Sequence, residues 1–546
     1  MGTDILAFYR NKIKDSWKLA FSSAFLIGLI VHMYRFTNVL PNHDSVYNFY
    51  SSQNMVGSGR WFLGIACAFS SYFDLPWVIG LFSLAFMGIT AAILAEVFRM
   101  KNPVLIVVSS GLLVTFPAIT ATFFYEFTAD GYMLAMALAA LSVYLSKLEF
   151  IARKHWPKLV LSAVCICLSC AIYQAYVSFA FILAVCYFMT ELLENKADEK
   201  TCCKWIGLQI LIYGLALAAY YLIWQICLRV AGISSSTYMG MDTAGISGVS
   251  QIVQGAVSAV KYFVRFFLEW NFLRYGLTVY SALNILFLTG FAAVLVYALF
   301  KSGCVKRKLP LALVLLCVVS IPFGCCIWTF VSPAITYRTL MLQSVCILFI
   351  FLGVLCDRWI SGKKLWSSLI LLLLTATVFN NSLAANMCYN YMHQCYEKTY
   401  ADAVELNTRV HLLDDGTIRY VAIYGELDTW AQEDFFDHSK LRQLGGWKYM
   451  DLTILSPQFL SLYTDFSLSY YRINGLEYPV VENEPNIPAP YDWEFRFPSL
   501  PKDQMETLAG TQQVQDMPVW PARDSVQVIG DTVVIKLSEF GQQETP

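Results

Sequence analysis

The sequence predicts a mainly α fold, a polytopic transmembrane helical bundle of about 11 spans followed by a small extracytoplasmic α/β C-terminal domain. Three observations predict it. The 546 residues are 57% apolar and only 14% charged, with a mean hydropathy of +0.53, against about 25% charged in a water-soluble chain. Apolar runs of membrane-crossing length recur along the first two thirds. The charge is also divided: from Met387 onward there are 11 Lys and Arg against 24 Asp and Glu, a net of −13, which leaves +12 on the rest. Two parts in different surroundings follow, residues 1–386 in the membrane and 387–546 outside it.

A crossing helix needs about 20 mostly apolar residues, and residues 17–36 supply the first. Residues 75–98, 103–124, 131–146, 158–176, 177–193, 205–230, 276–300, 309–330, 339–356 and 365–385 supply the others. The first run is followed by RFTNVLPNH and not by a small-x-small cleavage site, so it reads as a permanent span. The sixteen cysteines lie almost all within or beside apolar runs and read as small packing residues. In the tail, residues 387–413 have helical periodicity, 418–424 (IRYVAIY) reads as a strand, 457–468 as a helix, and 526–537 (VQVIGDTVVIKL) as a hairpin turning at Gly530 and Asp531.

Orientation follows from the basic residues, which are retained on the cytoplasmic side of span ends. Alternate loops carry 20 of them, whereas the opposite loops carry only Arg35, Arg60, Arg229, Lys261, Arg265, Arg274 and Arg338. The N-terminus is therefore expected in the cytoplasm, and an odd number of spans places the acidic tail outside. The inner loops are short and hold no Gly-rich phosphate loop. An activated donor used on the outer face would have to be lipid-linked rather than a nucleotide sugar.

The outer loops, residues 37–74, 122–132 and 231–275, form the candidate active face. The first contains LPNHDSVYNFYSSQNMVGSGRW. Its Asp44 is a carboxylate able to take a proton from an acceptor hydroxyl; the alternative is an N-cap for a helix starting at Ser45. In TFFYEFTADGY, Glu126 and Asp130 are four apart and would share a helix face; as acids at membrane depth they are costly unless solvated or paired, and the alternative is two exposed loop residues. Arg60, Arg338 and Arg274 are candidate donor phosphate ligands, because a leaving phosphate needs positive charge where its own develops. Snorkelling to lipid headgroups is the alternative use of arginine at span ends. Trp61 and the turn residues Tyr173, Gln174 and Tyr176 are candidates for contact with sugar or acceptor, the tyrosines alternatively forming an aromatic belt. His43 beside Asp44 lacks the spacing of a metal site, and no metal or other cofactor is expected. The third loop holds an amphipathic run, with Val253, Val257, Val260, Val264 and Phe267 at helical spacing, which suits the membrane interface.

An acid in the first outer loop, then GRW (Gly59, Arg60, Trp61), TFPAITATFFYEFTADGYMLAMALAAL, the IYQAY turn and SPAITYR, followed by an outer C-terminal domain, resembles the bacterial O-antigen glucosyltransferase family of serotype-converting type. The resemblance covers most of the chain, most clearly residues 37–190; the motifs are short, and their order carries the specificity. It implies a GT-C-type inverting glycosyltransferase of the bacterial cytoplasmic membrane. Such an enzyme moves a sugar, typically glucose, from undecaprenyl phosphate to a surface polysaccharide, with a donor synthase and a flippase acting upstream and no nucleic acid involved. Asp44 holds the position of the usual catalytic acid. Many such enzymes show paired acids there, whereas here His43 precedes a single Asp44, which leaves Glu126 or Asp130 open as base or as acceptor-orienting group. The rival readings are a GT-C transferase of another sugar and a lipid-linked oligosaccharide flippase. The absence of an internal repeat and the long terminal domain argue against the flippase and, with the clustered acids and arginines, against a scaffold.

Overall fold

The fold is that of a computed structural model, which describes residues 11–42, 44–48, 51–68, 75–152, 155–195, 198–240, 245, 248–268, 277–332, 334–425, 444, 470–471 and 496–539. The helix expected at 457–468 lies outside these residues. Two compact units emerge. The first comprises Met1–Val39, Ser52–Met387 and Lys440–Asp451, the second Leu40–Ser51, Cys388–Ser439 and Leu452–Pro546.

The first unit is a helical bundle. Its helices are α1 (Asp15–Thr37), α2 (Pro76–Val97), α3 (Pro103–Thr115), α4 (Pro117–Phe123), α5 (Ala129–Leu145), α6 (Trp156–Ile172), α7 (Tyr176–Leu193), α8 (Glu199–Ala231), α9 (Val249–Phe267), α10 (Val279–Lys301), α11 (Lys308–Cys325), α12 (Cys346–Trp359) and the first part of α13 (Lys364–Leu413). Among the described residues, eight helices are individually long and apolar enough to cross a membrane, and α3 with α4 makes a ninth bent by 45°. The expectation of about 11 spans included two further runs, which form α6 and α12, only 17 and 14 residues long.

Departures from the expected spans have local causes. The run 103–124 breaks at Phe116, where Pro117 pushes the preceding residue out of the α region (φ −59°, ψ 140°). The run 339–356 is helical only from Cys346; before it, Thr339–Met341 and Gln343–Val345 are separate 3₁₀ turns. Likewise α11 stops at Cys325, and Ile327–Phe330 is a 3₁₀ turn. Hydropathy measures transfer into lipid, and these buried segments are apolar enough to pass without being α-helical.

Helix α1 buries Ala20, Ala24, Gly28 and Val31 along one side; such small residues let membrane helices approach closely, and α1 packs on α2 and α3. Charged residues at helix ends are tied to one another. Glu191 and Glu194 of the α7 end take Arg99, and Glu194 also takes Arg358 of α12. Asn102 donates to Asp357 at 2.9 Å, and Lys14 meets Glu96 at 2.7 Å. All sixteen cysteines are free, and fourteen are buried, as packing residues would be.

In the second unit a four-stranded sheet runs in the order β2-β1-β4-β3, where β1 is Tyr420–Tyr424, β2 Tyr470–Tyr471, β3 Val526–Ile529 and β4 Thr532–Lys536. Strand β1 pairs in parallel with β2 and β4, while β3 and β4 form the expected hairpin, with Gly530 at φ +65°. Both sheet faces are covered. Val421, Ile423, Val533 and Ile535 pack with Ala403, Leu406 and Val410 of α13. Ala422, Tyr424 and Val534 pack with Met505 and Ala509 of α14 (Lys502–Ala509). Burial on both faces is why β1 and β4 read as continuous apolar runs rather than as alternating ones.

Candidate active site

The segment from Tyr125 to Tyr132 is the centre of the site in the bundle. Glu126–Thr128 forms a 3₁₀ turn and α5 begins at Ala129, so Glu126 and Asp130 do not sit on one continuous α-helix. Nor are they exposed loop acids: Glu126 is 7% and Asp130 3% exposed. Asp130 lies in the first turn of α5, where the helix N-terminus favours a negative charge. Glu126 Oε2 meets Arg35 Nη2 at 2.7 Å. The same guanidinium donates through Nε to the Phe123 carbonyl oxygen at 2.8 Å. Arg35 is 1% exposed, so a fully buried charge pair fixes this turn against the end of α1. The remaining carboxylate oxygen, Glu126 Oε1, is buried without a hydrogen-bond partner.

Two arginines distant in sequence converge on the same segment. Arg60 Nη1 donates to Tyr132 Oη at 3.0 Å, and its guanidinium carbon lies 4.8 Å from the centre of the Tyr173 ring. Tyr132 and Tyr173 are themselves stacked, centroids 4.4 Å apart and planes at 10°. Arg338 Nη1 donates to Tyr125 Oη at 3.1 Å. Both arginines are only half-buried.

Residues 55–67 are folded to deliver Arg60. Met55 and Arg60 form an isolated antiparallel bridge across a tight turn, and Gly59 takes φ +80°, a left-handed value that a side chain disfavours. The turn carbonyls are capped from elsewhere: Gln174 donates to Ser58 O at 2.8 Å, Tyr220 to Gly59 O at 3.1 Å and Trp224 to Val56 O at 2.7 Å. Beyond it, Leu63–Cys67 lies directly on α5 at Gly131, where a Cβ would come within 2.5 Å of Cys67 Sγ. On the other side, the strip from Ile327 to Tyr337 leads into Arg338. Trp328 Nε1 donates to the Gln174 carbonyl oxygen at 2.9 Å, and its N–H to Tyr337 Oη at 3.0 Å. Burial pushes the Tyr337 phenol well above its ordinary pKa, so it stays neutral.

The expected sugar contacts divide. Tyr173 and Tyr176, 7% and 0% exposed, lie inside the bundle and not in a surface belt. Gln174 spends its amide on Ser58 and Tyr220, a positioning role. Trp61 Nε1 is buried without a hydrogen-bond partner, whereas the Tyr176 hydroxyl lies against the side chains of Gln343 and Thr122. Arg274 and His43 lie outside the described residues. Asp44 belongs to the second unit, half-buried just before the short helix Ser45–Asn48. The turn there is shaped by Asn42, whose Oδ1 accepts from the Asp44 N–H and the Ser45 hydroxyl, each at 3.0 Å.

Sequence reading passed over Arg35, Tyr125, Tyr132, Tyr220, Trp224 and Gln343 as site residues. Arg35 carried a signal: a cation closing the first span, in HMYRFT, on the side poor in basic residues.

Helices of membrane-crossing length and apolarity, with arginines and acids gathered on one irregular segment, mark a membrane protein, and the family comparison gives the reaction class. The sequence matches the Glucosyl transferase GtrII family over residues 33–356, and the chain belongs to that family. It is a membrane glycosyltransferase. Comparison with curated proteins and with solved structures returns no match.

Proposed function

We propose that the enzyme is an inverting hexosyltransferase that takes a sugar, glucose in the reading the family favours, from undecaprenyl phosphate and adds it to a surface polysaccharide on the outer face of the cytoplasmic membrane. The observation that carries the proposal is the pair of half-buried guanidiniums, Arg60 and Arg338, each bonded to a tyrosine of the segment that also holds Glu126 and Asp130. In this reading the two cations receive the donor phosphate. The acceptor oxygen attacks the anomeric carbon as a carboxylate takes its proton; the bond from that carbon to the phosphate oxygen breaks, and the electron pair leaves on undecaprenyl phosphate. Fixed positive charge where the leaving group's charge develops is the largest expected contribution.

Asp44 is the base in this proposal. Glu126 is committed to Arg35 and so to holding the turn; Asp130 remains the alternative. Trp61, whose buried Nε1 has no hydrogen-bond partner, and Tyr176 are the proposed sugar contacts, and the acidic C-terminal domain faces the acceptor glycan. The test is transfer of radiolabelled glucose from undecaprenyl phosphate glucose to envelope glycan, in membranes carrying wild type or Asp44→Asn. Label with the wild type alone supports donor and base together. Equal label with both removes Asp44 from the chemistry, and no label with either removes glucose as the sugar.

A further inference from the structure

Helix α9 presents three chemically different sides. Gln251, Gly255, Ala259 and Phe266 are buried against the protein. Gln254, Lys261 and Arg265, all exposed, make a polar and cationic stripe beside them. The third side is a row of valines left uncovered: Val249, Val253, Val257, Val260 and Val264 are 76%, 56%, 64%, 40% and 40% exposed. At 19 residues the helix is long enough to cross a bilayer, yet it is not among the helices apolar enough to do so. Crossing would also draw Lys261 and Arg265 toward the hydrocarbon, whereas an amphipathic helix with basic residues on its polar side lies in the plane of the surface.

The buried side of α9 holds the strip that ends at Arg338. Thr329 donates through Oγ1 to the Gly255 carbonyl oxygen at 2.8 Å, and Gln251 donates to Phe330 O at 3.1 Å. Gly255 is needed for this approach, since a Cβ would lie 2.8 Å from Thr329 O and 3.0 Å from Phe330 Cα. Further along, Tyr262 Oη donates to Ile335 O at 3.4 Å and its ring lies 5.4 Å from that of Tyr337. Arg338 is the next residue.

We infer that α9 lies flat on the membrane, its valines in the acyl boundary and Lys261 and Arg265 among the phosphates of anionic lipid headgroups, and that this lipid contact braces the strip carrying Arg338. The occupant of the valine face is the bilayer surface, as the cationic stripe alongside it requires. The lipid contact and the brace stand on geometry alone; only their effect on catalysis rests on the proposed role of Arg338.

The test uses the full chain in nanodiscs of phosphatidylethanolamine with phosphatidylglycerol. Spin labels are placed through a genetically encoded keto residue at positions 253, 257, 260 and 264, leaving the native cysteines untouched. A surface helix gives four similar depths. Depths that progress by about 1.5 Å per residue, as in a crossing helix, or four labels in water would overturn the inference. The brace is read by hydrogen exchange in Val257→Asp, a change on the side away from the protein: exchange at Thr329 and Val331 is expected to quicken by about tenfold in nanodiscs, as for the loss of roughly one hydrogen bond's worth of protection, and to stay as in wild type in detergent. Unchanged exchange in nanodiscs would refute the brace. Transfer assays on the same variant then separate the two proposals, because a wild type inactive with every lipid-linked hexose would remove the catalytic reading and leave the depth and exchange results standing.

Discussion

The bundle handles its arginines in two ways. Arg99 and Arg358 are held by the carboxylates of Glu191 and Glu194, whereas Arg60 and Arg338 are held by the hydroxyls of Tyr132 and Tyr125 and, for Arg60, the face of Tyr173. A carboxylate partner cancels the charge it positions. A tyrosine positions a guanidinium without cancelling it, since a neutral hydroxyl accepts one hydrogen bond and a ring face offers only its quadrupole. The first arrangement fastens helix ends together; the second aims two guanidiniums at the segment 125–132. Arg35 combines the two, because its carboxylate partner Glu126 sits in the very turn that Tyr125 opens.

Several changes would break or sharpen this contrast. The largest effect is expected at Arg35: Arg35→Ala leaves the Glu126 carboxylate buried without its counter-ion, which costs about 3–5 kcal/mol, visible as a lower thermal midpoint and loss of folded protein. Arg35→Met with Glu126→Leu should recover most of that stability, and failure to do so would mean the pair does more than balance charge. Next come Arg60→Ala and Arg338→Ala, each expected to reduce transfer by about 10²–10³ with normal amounts of protein in the membrane. Arg60→Lys should rescue poorly, because a lysine lacks the planar group that lies over Tyr173; full rescue would reduce Arg60 to a point charge.

Arg99→Ala should do the opposite of Arg60→Ala. It removes a partner from the buried Glu191 and lowers stability by about 1–3 kcal/mol, while the turnover of each folded molecule stays as in the wild type. The smallest change is Tyr176→Phe. Removing the buried hydroxyl, which lies against Gln343 and Thr122, should lower stability by no more than about 1 kcal/mol and weaken recognition of the lipid-linked sugar by up to about tenfold. An unchanged KM for the donor would take Tyr176 out of the sugar site.

Much of the bundle was legible because crossing a membrane imposes length and apolarity on consecutive residues. The 17–36 and 75–98 runs match α1 and α2 within two residues at each end. Even the break before α4 was written locally, in the Phe116-Pro117 pair. The 3₁₀ turns at 339–345 were not, since apolar burial looks alike in a span and in an irregular buried strip. Candidate residues were legible by type. That Glu126 would meet Arg35, and that Arg60 would reach Tyr132, depends on residues 91 and 72 positions apart, and no local spacing encodes such pairs.

What the sequence determined by itself is therefore which segments are long and apolar enough to enter lipid, because length and apolarity are sums over neighbouring residues. The strands at 420–424 and 532–536 were equally local, being short apolar runs bounded by turn residues. Only the tertiary structure decided the company each charge keeps. A carboxylate at position 126 and an arginine at position 60 have the same intrinsic chemistry in any chain. That one meets Arg35 and the other Tyr132 is set by which partner the packing brings close, and that is a property of the folded bundle.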